Sequence, residues 1–209
     1  MPSATFTRFL AQLRAQGREK ADGFDRSHFD GLAPDERPEV ARLLEDALAR
    51  GDNTAVGGLL LLDPSDAPTV LRDALARLPF ENTARVTIAG ALLARSDDPA
   101  LQRELVRYLS HPVGPTRRLA LNYLTRSAPN RALAPALQQY VHDEAEGDNR
   151  ALGAELALYW SGAISRLDDS YRQYGSLLNA LEEGNVFARR RALGDFDRAV
   201  ADAARGQPG

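Results

Sequence analysis

The sequence predicts an all-α protein: a solenoid of about four helical pairs, flanked by terminal segments that depart from the repeat. Three observations lead there. A short pattern returns four times, as Ala55-x-x-Gly58-Leu59-x-x-Leu62, Arg85-x-x-Ile88-Ala89-x-x-Leu92, Arg117-x-x-Ala120-Leu121-x-x-Leu124 and Arg150-x-x-Gly153-Ala154-x-x-Ala157. Its starting points lie 30, 32 and 33 residues apart, the period at which two-helix units stack. The segments preceding the pattern keep the same period, with Leu75, Leu105 and Leu137 in equivalent places. Glycine, proline and asparagine punctuate the chain between segments, as turns require.

Taken in order, residues 5–16 place Phe6, Phe9, Leu10 and Leu13 on one helical face, and Gly17 ends the run. Residues 18–24 are charged and break the pattern. Phe24, Phe29 and Leu32 read as anchors packing an N-terminal cap, residues 1–33, onto the helices after it. Pro34-Asp35-Glu36-Arg37-Pro38 reads as a helix start with Asp35 as N-cap, and Gly51 stops that helix; its partner ends before Asp63-Pro64. The second unit spans 67–78 and 83–95, with Pro79 and Asn82 in its turn. The third spans 99–110 and 116–127, with His111-Pro112 and Gly114-Pro115 between. The fourth spans 131–142 and 149–162 around Glu146-Gly147-Asp148. Repeats thus cover residues 34–163. Two further helices, 166–183 and 187–204, form a divergent C-terminal cap within 164–205, in which Arg189-x-x-Ala192-Leu193 echoes the pattern. Residues 206–209 read as a frayed tail. The expectation is one domain over residues 1–209.

Composition narrows the functional classes. The 209 residues are 44% hydrophobic and 26% charged, with a formal net charge of −3. That balance argues against a general nucleic-acid binder, which carries a basic surplus. Without cysteine there is no disulfide, thiol nucleophile or Cys-based metal site. Lys20 is the one lysine among 26 basic residues, so ion pairs here are mostly arginine pairs capable of bidentate geometry. Met1-Pro-Ser-Ala-Thr-Phe6 lacks a basic stretch followed by an apolar one, and no apolar run approaches the roughly 18–20 residues of a membrane span. A cytoplasmic protein is expected, with no membrane partner.

Thr116-Arg117-Arg118-Leu119-Ala120-Leu121-Asn122-Tyr123-Leu124 resembles the second helix of a HEAT or HEAT-like repeat. Arg85 and Arg150 match the arginine of that family's pattern, and Ala55 departs from it. The resemblance covers residues 35–162. It implies a right-handed α-α superhelix whose second helices line a concave face. Proteins of this build include scaffolds, enzyme regulators, bilin lyases and alkyl-base DNA glycosylases, and fold alone does not choose among them. A short chain made of one repeat array is also similar in build to helical-repeat immunity proteins that neutralise toxins.

On that template, offsets +3, +4 and +7 of the pattern point into the core and +1, +5 and +9 toward the groove. The groove row is then Val56 and Leu60; Val86, Gly90 and Ala94; Arg118, Asn122 and Arg126; and Ala151, Glu155 and Tyr159, with Arg190 and Arg198 extending it. Arg118, Arg126 and Tyr159 are residue types that often dominate binding, and Gly90 would admit a partner closely. The ladder Arg85, Arg117, Arg150 invites a phosphate-binding reading, but the resemblance implies a bridge to acids or carbonyls of the adjacent unit. Arg189-Arg190-Arg191 reads as a solvated helix face, because consecutive residues fan around a helix. His142-Asp143-Glu144 with Glu146 and Asp148 reads as an acidic loop, lacking the second histidine of a metal helix. Trp160 reads as core. No catalytic fingerprint and no cofactor motif occurs. The expected function is non-enzymatic protein binding, most concretely a bacterial immunity or inhibitor protein that occludes a toxin or enzyme. A HEAT-like nucleic-acid binder or alkyl-base glycosylase, with Glu155, Tyr159 and Trp160 as its cage, is the alternative; a bilin-lyase-like or chaperone-like protein is the third.

Overall fold

The computed structural model describes residues 2–206; Met1 and residues 207–209, most of the expected tail, lie outside the described residues. Among the described residues there are twelve α-helices and no strand, so the protein is all-α. The chain divides into two compact units, Met1–Leu92 and Leu93–Gly209.

The first unit holds α1 (Ala4–Arg14), α2 (Gly17–Ala21), α3 (Glu36–Ala49), α4 (Thr54–Leu62), α5 (Ala67–Arg77) and α6 (Ala84–Leu93), and its boundary falls in the last turn of α6. Ser3 caps α1 by accepting from the Phe6 amide. Phe9 is fully buried and stacks on Phe24, which packs in turn on Phe29, at ring separations of 5.5 and 5.7 Å. The aromatic anchors of the expected cap therefore meet. The charged stretch after Gly17 forms the short helix α2, which periodicity does not reveal. Lys20 holds it, donating to the Leu13 carbonyl and pairing with Asp52. Asp35 stands at the N-cap of α3 but makes no side-chain cap bond. Glu36 fastens that end instead, accepting from the Ser3 amide and hydroxyl and from the Ala33 amide. Buried Val40, Leu44, Ala47 and Leu48 line one side of α3, which packs on α4 and α5. A Cβ on Gly58 of α4 would come within 2.7 Å of Leu44, so the glycine permits that close crossing.

The second unit holds α7 (Pro99–Arg107), α8 (Gly114–Leu124), α9 (Ala134–Asp143), α10 (Gly147–Ser161), α11 (Ser170–Glu182) and α12 (Val186–Arg205). Asp98 caps α7 and Asn185 caps α12. Helix α10 is central: α8, α9, α11 and α12 all pack on it. Ten of its fifteen residues are buried, including Leu156, Leu158 and Trp160. At about 1.5–3 kcal/mol for each fully buried large apolar side chain, this helix anchors the unit. It ends at Gly162, whose φ of 88° is the left-handed cap that glycine adopts without strain. Several elements are shorter or less regular than expected, among them α8 and α11. Helix α8 stops at Leu124 rather than 127, with the Ser127 hydroxyl donating to the Leu124 carbonyl. Helix α11 bends at Tyr174, which leaves the helical region at φ −126°, ψ 17°.

Candidate partner-binding face

The repeated arginines are consumed by the chain itself. Arg85 donates to the carbonyl of Leu78, at the end of α5. Arg117 donates to the carbonyls of His111 and Pro112, which follow α7, and clasps Glu144 beyond α9 through Nε and Nη2 at 2.6 and 2.8 Å. Arg150 is 2% exposed and donates to the Glu144 and Ala145 carbonyls behind α9 and to the Leu181 carbonyl in α11. Arg189 repeats the move in the divergent pair, donating to the Gly184 carbonyl after α11. Each donates to carbonyls at or just past the end of the preceding helix, where no intrahelical donor reaches. Arg117 and Arg150 also tie one pair to the next. The Ala55 pair lacks the arginine, and there Asn82 supplies donors to the Leu48 and Ala49 carbonyls at the end of α3.

Glu144, expected in an acidic loop, is buried. Burial alone would raise its carboxyl, but bonds from Arg117 and the Tyr140 hydroxyl outweigh it and hold the group down at about 2. Burial, reinforced by Glu144, pushes the Tyr140 hydroxyl up. His142 turns the other way and meets Asp197 of α12 at 2.9 Å. Among the described residues no three His, Asp or Glu side chains are placed to hold a metal.

The expected groove row divides. In the first unit Val86 is fully buried and Gly90 is buried too; Thr87 and Ala91, one position on and about 100° around the helix, are the partly open residues. Neither Val86 nor Gly90 can meet a partner there. The reason is that α6 is apolar nearly all round, which rules out the two-sided pattern assumed. In the second unit Arg118 is partly exposed and donates to the Asp148 carbonyl at 2.9 Å, and Asn122 is exposed. Both line an open groove of about 650 Å³ with Pro115, Leu119 and Asp148. Arg126 is exposed, but in the turn after α8 rather than on the helix. Ala151 is buried, whereas Glu155 and Tyr159 are partly open.

Glu155 accepts from the Ser170 hydroxyl at the start of α11. Burial raises its carboxyl; Ser170 and Arg118 oppose that and Glu182 adds to it. Tyr171, half-exposed, donates to Glu182 and feels Glu155 and Arg118 electrostatically. Arg118, Glu155, Ser170, Tyr171 and Glu182 thus form one polar cluster from α8, α10 and α11. Sequence reasoning missed Tyr171 and Glu182, since α11 lies outside the regular repeat. Trp160, the third member of the imagined base cage, is fully buried. No protein-family model, curated protein or solved structure matches the chain.

Proposed function

We propose that the chain is a non-enzymatic, HEAT-like repeat protein that binds another protein, in its most concrete form a bacterial, cytoplasmic immunity or inhibitor protein occluding the active site of a toxin or enzyme. One observation carries the reading. The arginines of the repeat register are engaged with carbonyls and Glu144, while the next register position, Arg118, leads with Asn122 into an open groove. Arg118, Asn122, Arg126, Glu155 and Tyr159 supply the contacts. Cations and an amide on α8 and in the turn after it suit the carboxylates and carbonyls of a folded partner. The buried Trp160 leaves the glycosylase-type cage without its platform.

The test is capture of the partner from the native cell with the full chain, followed by calorimetric affinities. Replacing Arg118, Asn122 and Arg126 together with alanine should weaken binding about thirtyfold or more, on the order of 2 kcal/mol. For an inhibitor, the captured enzyme should regain activity in step. Unchanged affinity would refute the assignment of this face.

A further inference from the structure

In the second unit a cavity of about 570 Å³ opens between α9 and the end of α7 with the turn after it. None of the groove residues Arg118, Asn122 and Arg126 lines it. Its walls are Val106, Leu109, Pro112, Ala136, Tyr140 and Ala145, apolar apart from the Tyr140 hydroxyl. That volume falls among pockets that take small organic molecules, about 300–1,000 Å³. The polar groups at its floor are already engaged. Arg117 uses all five of its N–H groups, on Glu144, on Glu146 and on the carbonyls of His111 and Pro112. Glu144 accepts from Arg117, from the Tyr140 hydroxyl and from the Glu146 amide. His111 accepts from the Val113 amide at Nδ1 and lies against the Tyr108 ring.

The rim has the opposite character. Asp143, the last residue of α9, lines the cavity and is exposed. It accepts from the Gln139 amide and pairs with no cation among the described residues. Two helix ends converge at the same place. Helix α9 ends at Asp143, and α7 is continued by a 3-10 turn over Tyr108–Ser110. The C-terminal ends of helices carry the negative pole of the dipole and favour cations. The cations that these segments own are held by carboxylates, Arg107 by Glu104 and Arg117 by Glu144 and Glu146. We propose that this cavity binds a small amphiphilic cation, its apolar body between the walls and its ammonium at Asp143. An anionic ligand of the same shape would meet the same negative ends and Asp143, and the one guanidinium in the lining, Arg117, has no N–H left for it. This site is separate from the partner-binding face and does not rest on that reading.

Isothermal titration calorimetry of the full chain tests this, with tryptamine as the probe and indole-3-propionate as the ligand of equal ring and opposite charge. Tryptamine should bind with a Kd of about 0.1 mM, and indole-3-propionate about tenfold more weakly or worse. Asp143→Lys should weaken tryptamine by about tenfold or more with unchanged circular dichroism, since the helix dipole favours a cation at the last residue of α9. Ala136 is exposed on the cavity wall, so Ala136→Trp fills the space without entering the core and should remove binding. No heat of binding with tryptamine up to about 5 mM overturns the proposal. So does indole-3-propionate binding as tightly as tryptamine, or tryptamine binding undiminished in both variants.

Discussion

Replacing Arg150 with methionine should unfold the second unit far more easily, because its guanidinium is the donor for helix ends that have no other. Arg150 gives four hydrogen bonds of 2.6–2.9 Å to three carbonyls, those of Glu144, Ala145 and Leu181. Methionine keeps the aliphatic stem and none of the donors. The bonds to Glu144 and Leu181 are buried, and each orphaned carbonyl costs about 1–3 kcal/mol. Removing a buried cation returns part of its desolvation cost, which leaves a net loss of about 3 kcal/mol. For a chain of this size that lowers Tm by about 6–12 °C. Trp160 is the single tryptophan and is fully buried in α10, the helix that carries Arg150. Its fluorescence during urea unfolding therefore reports on this unit. Arg118→Met is the control: it removes one bond, to an exposed carbonyl, and should cost no more than about 1 kcal/mol. An Arg150 variant within about 1 kcal/mol of wild type, or an Arg118 variant as damaging, would refute the division of arginines into frame and face.

Acid should act through Glu144. Its folded carboxyl sits at about 2, below the unfolded value, so its contribution is full at neutral pH and disappears as pH falls from about 5 toward 2. It amounts to about 2 kcal/mol after allowance for solvent screening. In urea titrations against pH, Glu144→Gln should be less stable at pH 7 and show a shallower acid loss. Glu155 has the opposite sign: its folded carboxyl is raised, chiefly by burial, so the carboxylate opposes folding at neutral pH. Glu155→Gln retains an acceptor for Ser170 and should raise the midpoint at pH 7, an advantage that vanishes as pH falls and Glu155 itself becomes neutral. Gly147→Ala should destabilise by about 2–3 kcal/mol or prevent folding, because its Cβ would lie 2.1 Å from the Glu182 carbonyl oxygen, a backbone atom with little freedom to move. Gly57→Ala, in open space on α4, should instead stabilise by about 0.5–1 kcal/mol in the same assay.

Periodicity made much of this protein legible. The spacing of apolar residues places every α-helix but α2 to within a few residues, and the recurrence of arginine at one register predicts a structural ladder. The hydrogen bonds of Arg85, Arg117, Arg150 and Arg189 have that character. The candidate face was legible only in part. An inward stripe tells which side of a helix must be buried, but not how many neighbours cover the remainder. Helix α10 receives four others, so Ala151 is lost from the surface and Glu155 is partly covered by the start of α11. Val86 and Gly90 disappear for the same kind of reason on an almost wholly apolar helix. Charge patterns along the chain do not distinguish Glu144, pinned between Arg117 and Tyr140, from its exposed neighbour Asp143. The local rules of helix formation act over three or four residues and are written in the sequence. Burial of the sides those rules leave open, and the partners of groups some thirty residues apart, depend on how the helices pack, and only the tertiary structure decides them.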